Sequence, residues 1–62
     1  MTNWIDVKSN GLRYLINLDH VYYVQEFVSE GDKPRVYIET PDLEIEVEEP
    51  FEEIKRKIEV AR

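Results

Sequence analysis

The stretch Leu43-Glu44-Ile45-Glu46-Val47-Glu48-Glu49-Pro50-Phe51-Glu52-Glu53-Ile54-Lys55-Arg56-Lys57-Ile58-Glu59-Val60-Ala61 changes its period at the proline. Before Pro50, apolar and acidic residues alternate, which places Leu43, Ile45 and Val47 on one face of a strand and Glu44, Glu46 and Glu48 on the other. After it, Phe51, Ile54, Ile58 and Ala61 recur at helical spacing, and proline suits the first turn of a helix because its missing N–H has no intrahelical acceptor there. Glu52 and Glu53 sit where the helix dipole favours anions, and Glu52/Arg56 and Glu53/Lys57 stand four apart. Lys57 then reads as a solvent-facing position. An acidic strand running into an amphipathic helix fixes the C-terminal third of the fold.

Working outward, Thr40-Pro41-Asp42 is a turn, and Arg35 to Thr40 before it reads as a strand with Val36 and Ile38 on one face. Ser29-Glu30-Gly31-Asp32-Lys33-Pro34 is a polar loop. Val21 to Val28 is rich in aromatic and β-branched residues and apolar on both faces, the pattern of a strand in the middle of a covered sheet. Asn17-Leu18-Asp19-His20 reads as a tight turn or a single helical turn, because short polar side chains bond nearby backbone groups. Asn10-Gly11 favours the positive φ angles of a type I′ hairpin. That turn pairs Val7 with Tyr14 and Ile5 with Ile16, leaving Leu12 on their face and Trp4 and Leu15 on the other, with Lys8 directly opposite Arg13.

The resulting fold class is mainly β, of the α+β type. It is a five-stranded antiparallel meander or a small barrel-like sheet with one C-terminal helix, as a single small domain over 1–62. The strands fall at about 4–9, 12–17, 21–28, 35–40 and 43–48, and the helix at about 50–61.

A chain of 62 residues buries only roughly 60% of the surface its unfolded form exposes, so its stability alone is marginal. It has no cysteine for a disulfide or thiolate site, which leaves oligomerisation as the common remedy. Fourteen acidic against eight basic residues give a net charge of −6, which repels phosphate backbones and argues against a nucleic-acid partner. With no signal-peptide pattern and no membrane-length apolar run, the expectation is a cytoplasmic protein without membrane insertion.

The chemistry-bearing residues are sparse. His20 is the single histidine, beside Asp19, and neither Ser9 nor Ser29 lies in a nucleophile-elbow glycine pattern. The histidine reads as a surface or capping residue, and the chain as having no catalytic residues and no cofactor. Glu44, Glu46 and Glu48 are spaced about 6.5 to 7 Å apart along a strand, too far for all three to bind one ion. They read as the solvated face of an edge strand whose charge prevents pairing with other chains, and no metal site follows. The aromatic residues lack the basic groove of a single-strand stacking platform, so they read as core or interface. The strand from Val21 is apolar on both sides and the hairpin adds Trp4 and Leu15, yet one helix has to cover both. Trp4, Leu15, Val21, Tyr23 and Phe27 are therefore the candidate interface of a homo-oligomer, a dimer or larger, and a protein partner can share it.

Asn10-Gly11, Tyr14-Leu15-Ile16-Asn17-Leu18-Asp19, Val21-Tyr22-Tyr23-Val24-Gln25-Glu26, Val36-Tyr37-Ile38-Glu39-Thr40 and Glu49-Pro50-Phe51-Glu52-Glu53-Ile54 through Ile58 together resemble the FlbD-type, SwrD-like small flagellar proteins of swarming motility. That resemblance implies a cytosolic, non-enzymatic accessory factor acting through protein contacts with the flagellar motor or its assembly. The middle of the chain also looks like part of a LytTR-type DNA-binding domain, without its basic recognition loops. That implies an alternative, a small nucleic-acid-binding or regulatory domain.

Overall fold

Both residues of the Asn10-Gly11 turn are left-handed, with φ of 54° and 81°. Such a turn matches the twist of the strands that enter and leave it, so Trp4–Ser9 (β1) and Leu12–Asn17 (β2) pair antiparallel with Ser9 opposite Leu12 and Ile5 opposite Ile16. The structure, a computed structural model, describes residues 3–61. The hairpin register is the one the sequence predicts, Lys8 facing Arg13 included. Arg13 turns diagonally to Asp6, its Nη2 3.8 Å from Oδ2.

Asn17 then caps a 3₁₀ turn over Leu18–His20, its Oδ1 accepting the Asp19 N–H at 3.0 Å. This turn separates two sheets. β1 and β2 form one, while Tyr23–Phe27 (β3), Arg35–Glu39 (β4) and Glu44–Val47 (β5) form the other in the order β3-β4-β5. The Thr40 N–H and the Leu43 carbonyl close the β4–β5 turn at 2.8 Å, and the Thr40 hydroxyl braces it. The five strands do not run as one meander, and they do not close into a barrel.

Two expectations change with this topology. β3 is five residues long rather than eight, because Val21 and Tyr22 lie in the approach to it. It is an edge strand instead of a central one, with Val24 the one β3 side chain packed on the core. Both the Tyr22 and Tyr23 positions oppose Glu39, since Tyr22 N–H donates to the Glu39 carbonyl at 2.8 Å while Tyr23 is the ladder partner of Glu39. Two residues against one is the count of a β-bulge. β5 is the sheet's other edge, with Glu44, Glu46 and Glu48 exposed, and just past it Glu48 N–H donates to the Lys8 carbonyl at 2.8 Å.

The helix spans Phe51–Ala61 (α1), and the Pro50 carbonyl accepts from Glu53 and Ile54 N–H at 3.0 and 3.1 Å. Pro50 therefore stands at the cap of α1, one residue outside it. The buried core is Ile5, Val7 and Ile16 from the hairpin, Val36, Ile38, Ile45 and Val47 from the larger sheet, and Ile54 from α1. All are β-branched, which suits strands whose stiff side chains stack across a pleat. Phe51, Ile58 and Ala61 pack beside Ile54 as their spacing predicts. Leu12 and Leu43, assigned by alternation to core faces, are exposed because each sits next to a turn, beyond the reach of the opposite layer.

The charged helix pairs also differ from the expected ones. Glu53 binds Arg56, three residues on, and that hydrogen bond to the guanidinium holds the Glu53 carboxyl below the usual carboxylate range. Lys57 turns inward instead, donating to the Asp6 carbonyl at 2.6 Å and pairing with Glu49 at 3.3 Å.

Candidate interaction surface

Alternation along the hairpin puts Trp4, Asp6 and Lys8 of β1 and Arg13, Leu15 and Asn17 of β2 on its outer face. Trp4 is 49% exposed and Leu15 69%, and with Asp6 and Arg13 they line one shallow apolar hollow. The Asp6–Arg13 ion pair forms part of its wall. An indole and an isobutyl group left in water beside each other are what a contact surface offers.

The outer face of the larger sheet is different in character. Tyr23 and Phe27 of β3 are 46% and 52% exposed, and the rows across the sheet run Tyr23, Glu39, Glu44 and then Gln25, Tyr37, Glu46. Aromatic rings occupy one side and carboxylates the other. The Tyr23 hydroxyl donates to Glu39 Oε1 at 2.5 Å. That bond to a carboxylate, reinforced by desolvation and by the charges of Glu39 and Glu44, pushes the Tyr23 phenol above the ordinary tyrosine value.

Of the five candidate interface residues, the structure brings Trp4 and Leu15 together on the hairpin and Tyr23 and Phe27 together on β3. The two pairs belong to different sheets. Val21 is separate from both, half-buried against the core next to the 3₁₀ turn. Its side chain packs on the core, so it contributes to packing. Comparison with known proteins finds no matching family model, no similar curated protein and no similar solved structure. The character of the surface therefore rests on its own residues.

The remaining chemistry-bearing residues do not converge. His20 is exposed at the end of the 3₁₀ turn, Ser9 ends β1 and Ser29 lies in the loop before β4. Among the described residues no hydrogen bond joins these side chains, and no group of three or more His, Asp or Glu is placed to hold a metal ion. An open cleft between the Asn10 turn and the Asp32–Arg35 segment carries both charge signs, with Lys33 and Arg35 facing Glu46 and Glu48. Among the described residues no helix is long and apolar enough to cross a membrane.

Sequence reasoning missed the junction of β1, β5 and α1. The Glu49 carboxylate accepts the Lys8 N–H at 3.1 Å through each oxygen and also meets Lys57, while Glu48 Oε2 accepts the Gly11 N–H at 2.8 Å. The available signal was a glutamate pair placed directly before the helix proline, where no solvated strand face needs a second acid.

Proposed function

We propose that this chain is a non-enzymatic protein-interaction module that works by self-association. The observation that carries the reading is the exposure of Trp4 and Leu15 on the hairpin and of Tyr23 and Phe27 on β3, four large apolar side chains on outward sheet faces. Exposed apolar groups of this size lose contact with water when a partner covers them, at about 25 cal/mol per Å² of apolar area. The resemblance to the FlbD-type proteins supports a role as a cytosolic motility accessory factor, and the acidic balance of the chain supports a protein rather than a nucleic-acid partner.

Sedimentation equilibrium at micromolar concentration tests the reading. A mass at least twice 7.5 kDa is the expected result, and a folded monomer across the concentration range overturns it. A gel shift whose strength falls steeply with salt would instead support the LytTR-like alternative. The motility role predicts that removing the gene from its host impairs swarming.

A further inference from the structure

We infer that β2 is the seam of a homodimer, in which two copies pair their β2 strands antiparallel about Leu15 and extend the hairpin into a four-stranded sheet. This rests on the self-association reading and names its surface. The inference starts from the backbone. Leu18 N–H donates to the Asn3 carbonyl at 2.8 Å, so Asn3 and Leu18 are a hydrogen-bonded pair. By alternation Ile5/Ile16, Val7/Tyr14 and Ser9/Leu12 are pairs of the same kind. The main-chain groups of Trp4, Asp6 and Lys8 then point away from β2, and those of Arg13, Leu15 and Asn17 point away from β1.

On the β1 side three of these groups have partners, Lys8 through both N–H and C=O and Asp6 through C=O. On the β2 side no further strand is paired among the described residues, since β2 belongs to a two-stranded sheet with β1. Both edges of the larger sheet carry devices that discourage strand addition, the bulge at Tyr22–Tyr23 and the charge of Glu26 on β3, and the carboxylates of Glu44 and Glu46 on β5. β2 has none of these. It is six residues long with no proline, no bulge and no carboxylate.

Its sequence is also complementary to itself. Centred on Leu15, the register sets Leu15 against Leu15, Tyr14 against Ile16 and Arg13 against Asn17, with no like charges opposed. The outward groups of Arg13, Leu15 and Asn17 then make about six new main-chain hydrogen bonds. Charge favours the same face. The hairpin exterior carries Asp6 against Lys8 and Arg13, whereas the chain as a whole is −6, so two acidic molecules meet where neither is acidic. Trp4, one strand inward and diagonal to Leu15, covers the flank of the seam.

The chain has no cysteine, so single cysteines report proximity cleanly. Paired residues of this type stand about 5.5 Å apart at Cα, within disulfide reach. Leu15→Cys should convert largely to a covalent dimer on mild oxidation. Arg13→Cys alone should not, because its copies lie about 13 Å apart along the strand, whereas Arg13→Cys mixed with Asn17→Cys should cross-link. Leu15→Lys should shift the sedimentation equilibrium to monomer with an unchanged circular dichroism spectrum. Sedimentation of the unaltered protein separates the two readings. A dimeric protein whose Leu15→Cys variant stays uncross-linked, or whose Phe27→Cys variant cross-links instead, overturns the β2 seam alone. A monomeric protein overturns self-association with it.

Discussion

The Lys57 ammonium on α1 donates to the Asp6 carbonyl on β1 at 2.6 Å, and its side chain is only 19% exposed. It thereby occupies a main-chain acceptor on the open side of β1 while meeting the Glu49 carboxylate at 3.3 Å. One cation ties helix, hairpin and the end of β5 together. Lys57→Ala should destabilise by about 1–2 kcal/mol, since hydrogen bonds to charged groups are worth more than neutral ones. Lys55→Ala, on the exposed side of the same helix, should stay within about 0.5 kcal/mol. Ile54→Ala empties a fully buried site and should cost about 2–5 kcal/mol. Urea titrations of the three variants check the order, and equal effects for Lys55 and Lys57 would contradict the tie.

How far the sequence reached follows from the range of each signal. Asn10-Gly11 set the hairpin register because the turn and its strands are contiguous, and Phe51, Ile54 and Ile58 marked the helix face because period is local. The joining of Glu48 to Lys8 is not local: forty residues separate them, and neither alternation nor turn chemistry reports which strand lies beside which. Val21 to Val28 misled for a related reason. Apolar side chains on both faces fit a central strand and equally an edge strand whose outer face is left uncovered, and Tyr23 and Phe27 show the second case. The same ambiguity separated the candidate interface into two surfaces.

The type I′ turn gives a clean test of backbone strain. Gly11 has φ of 81°, and a Cβ placed there meets nothing within 4 Å. Gly11→Ala therefore adds no clash, and its cost is the left-handed conformation itself, about 1 kcal/mol. Asn10→Gly should be near neutral, as asparagine already tolerates its φ of 54°. Thermal unfolding of the two variants should show the asymmetry, and an equal loss for both would place the strain elsewhere.

Tyr23 should titrate above the ordinary tyrosine value because its hydroxyl donates to Glu39. The folded state favours the protonated phenol more than the unfolded state does. Its contribution is therefore present below the ordinary tyrosine value and is lost as pH rises through the raised one. Ultraviolet titration should show the Tyr23 phenol ionising at lower pH in Glu39→Gln than in the unaltered protein. No change in Glu39→Gln would mean the hydrogen bond is absent in solution.

Glu49 and Glu46 are neighbours in an acidic run with opposite roles. Glu46 is exposed on the outer sheet face, so Glu46→Gln should change stability by no more than about 0.5 kcal/mol. The Glu49 carboxylate, 18% exposed, accepts the Lys8 N–H and pairs with Lys57. Glu49→Ala leaves a main-chain donor and an ammonium short of a partner and should cost about 2 kcal/mol. Because Lys57 loses one of its partners in that variant, the losses from Glu49→Ala and Lys57→Ala should not add. A double-mutant cycle should give a coupling of about 1 kcal/mol. Additive losses would show that the two side chains act independently, Lys57 through the Asp6 carbonyl and Glu49 through the Lys8 N–H.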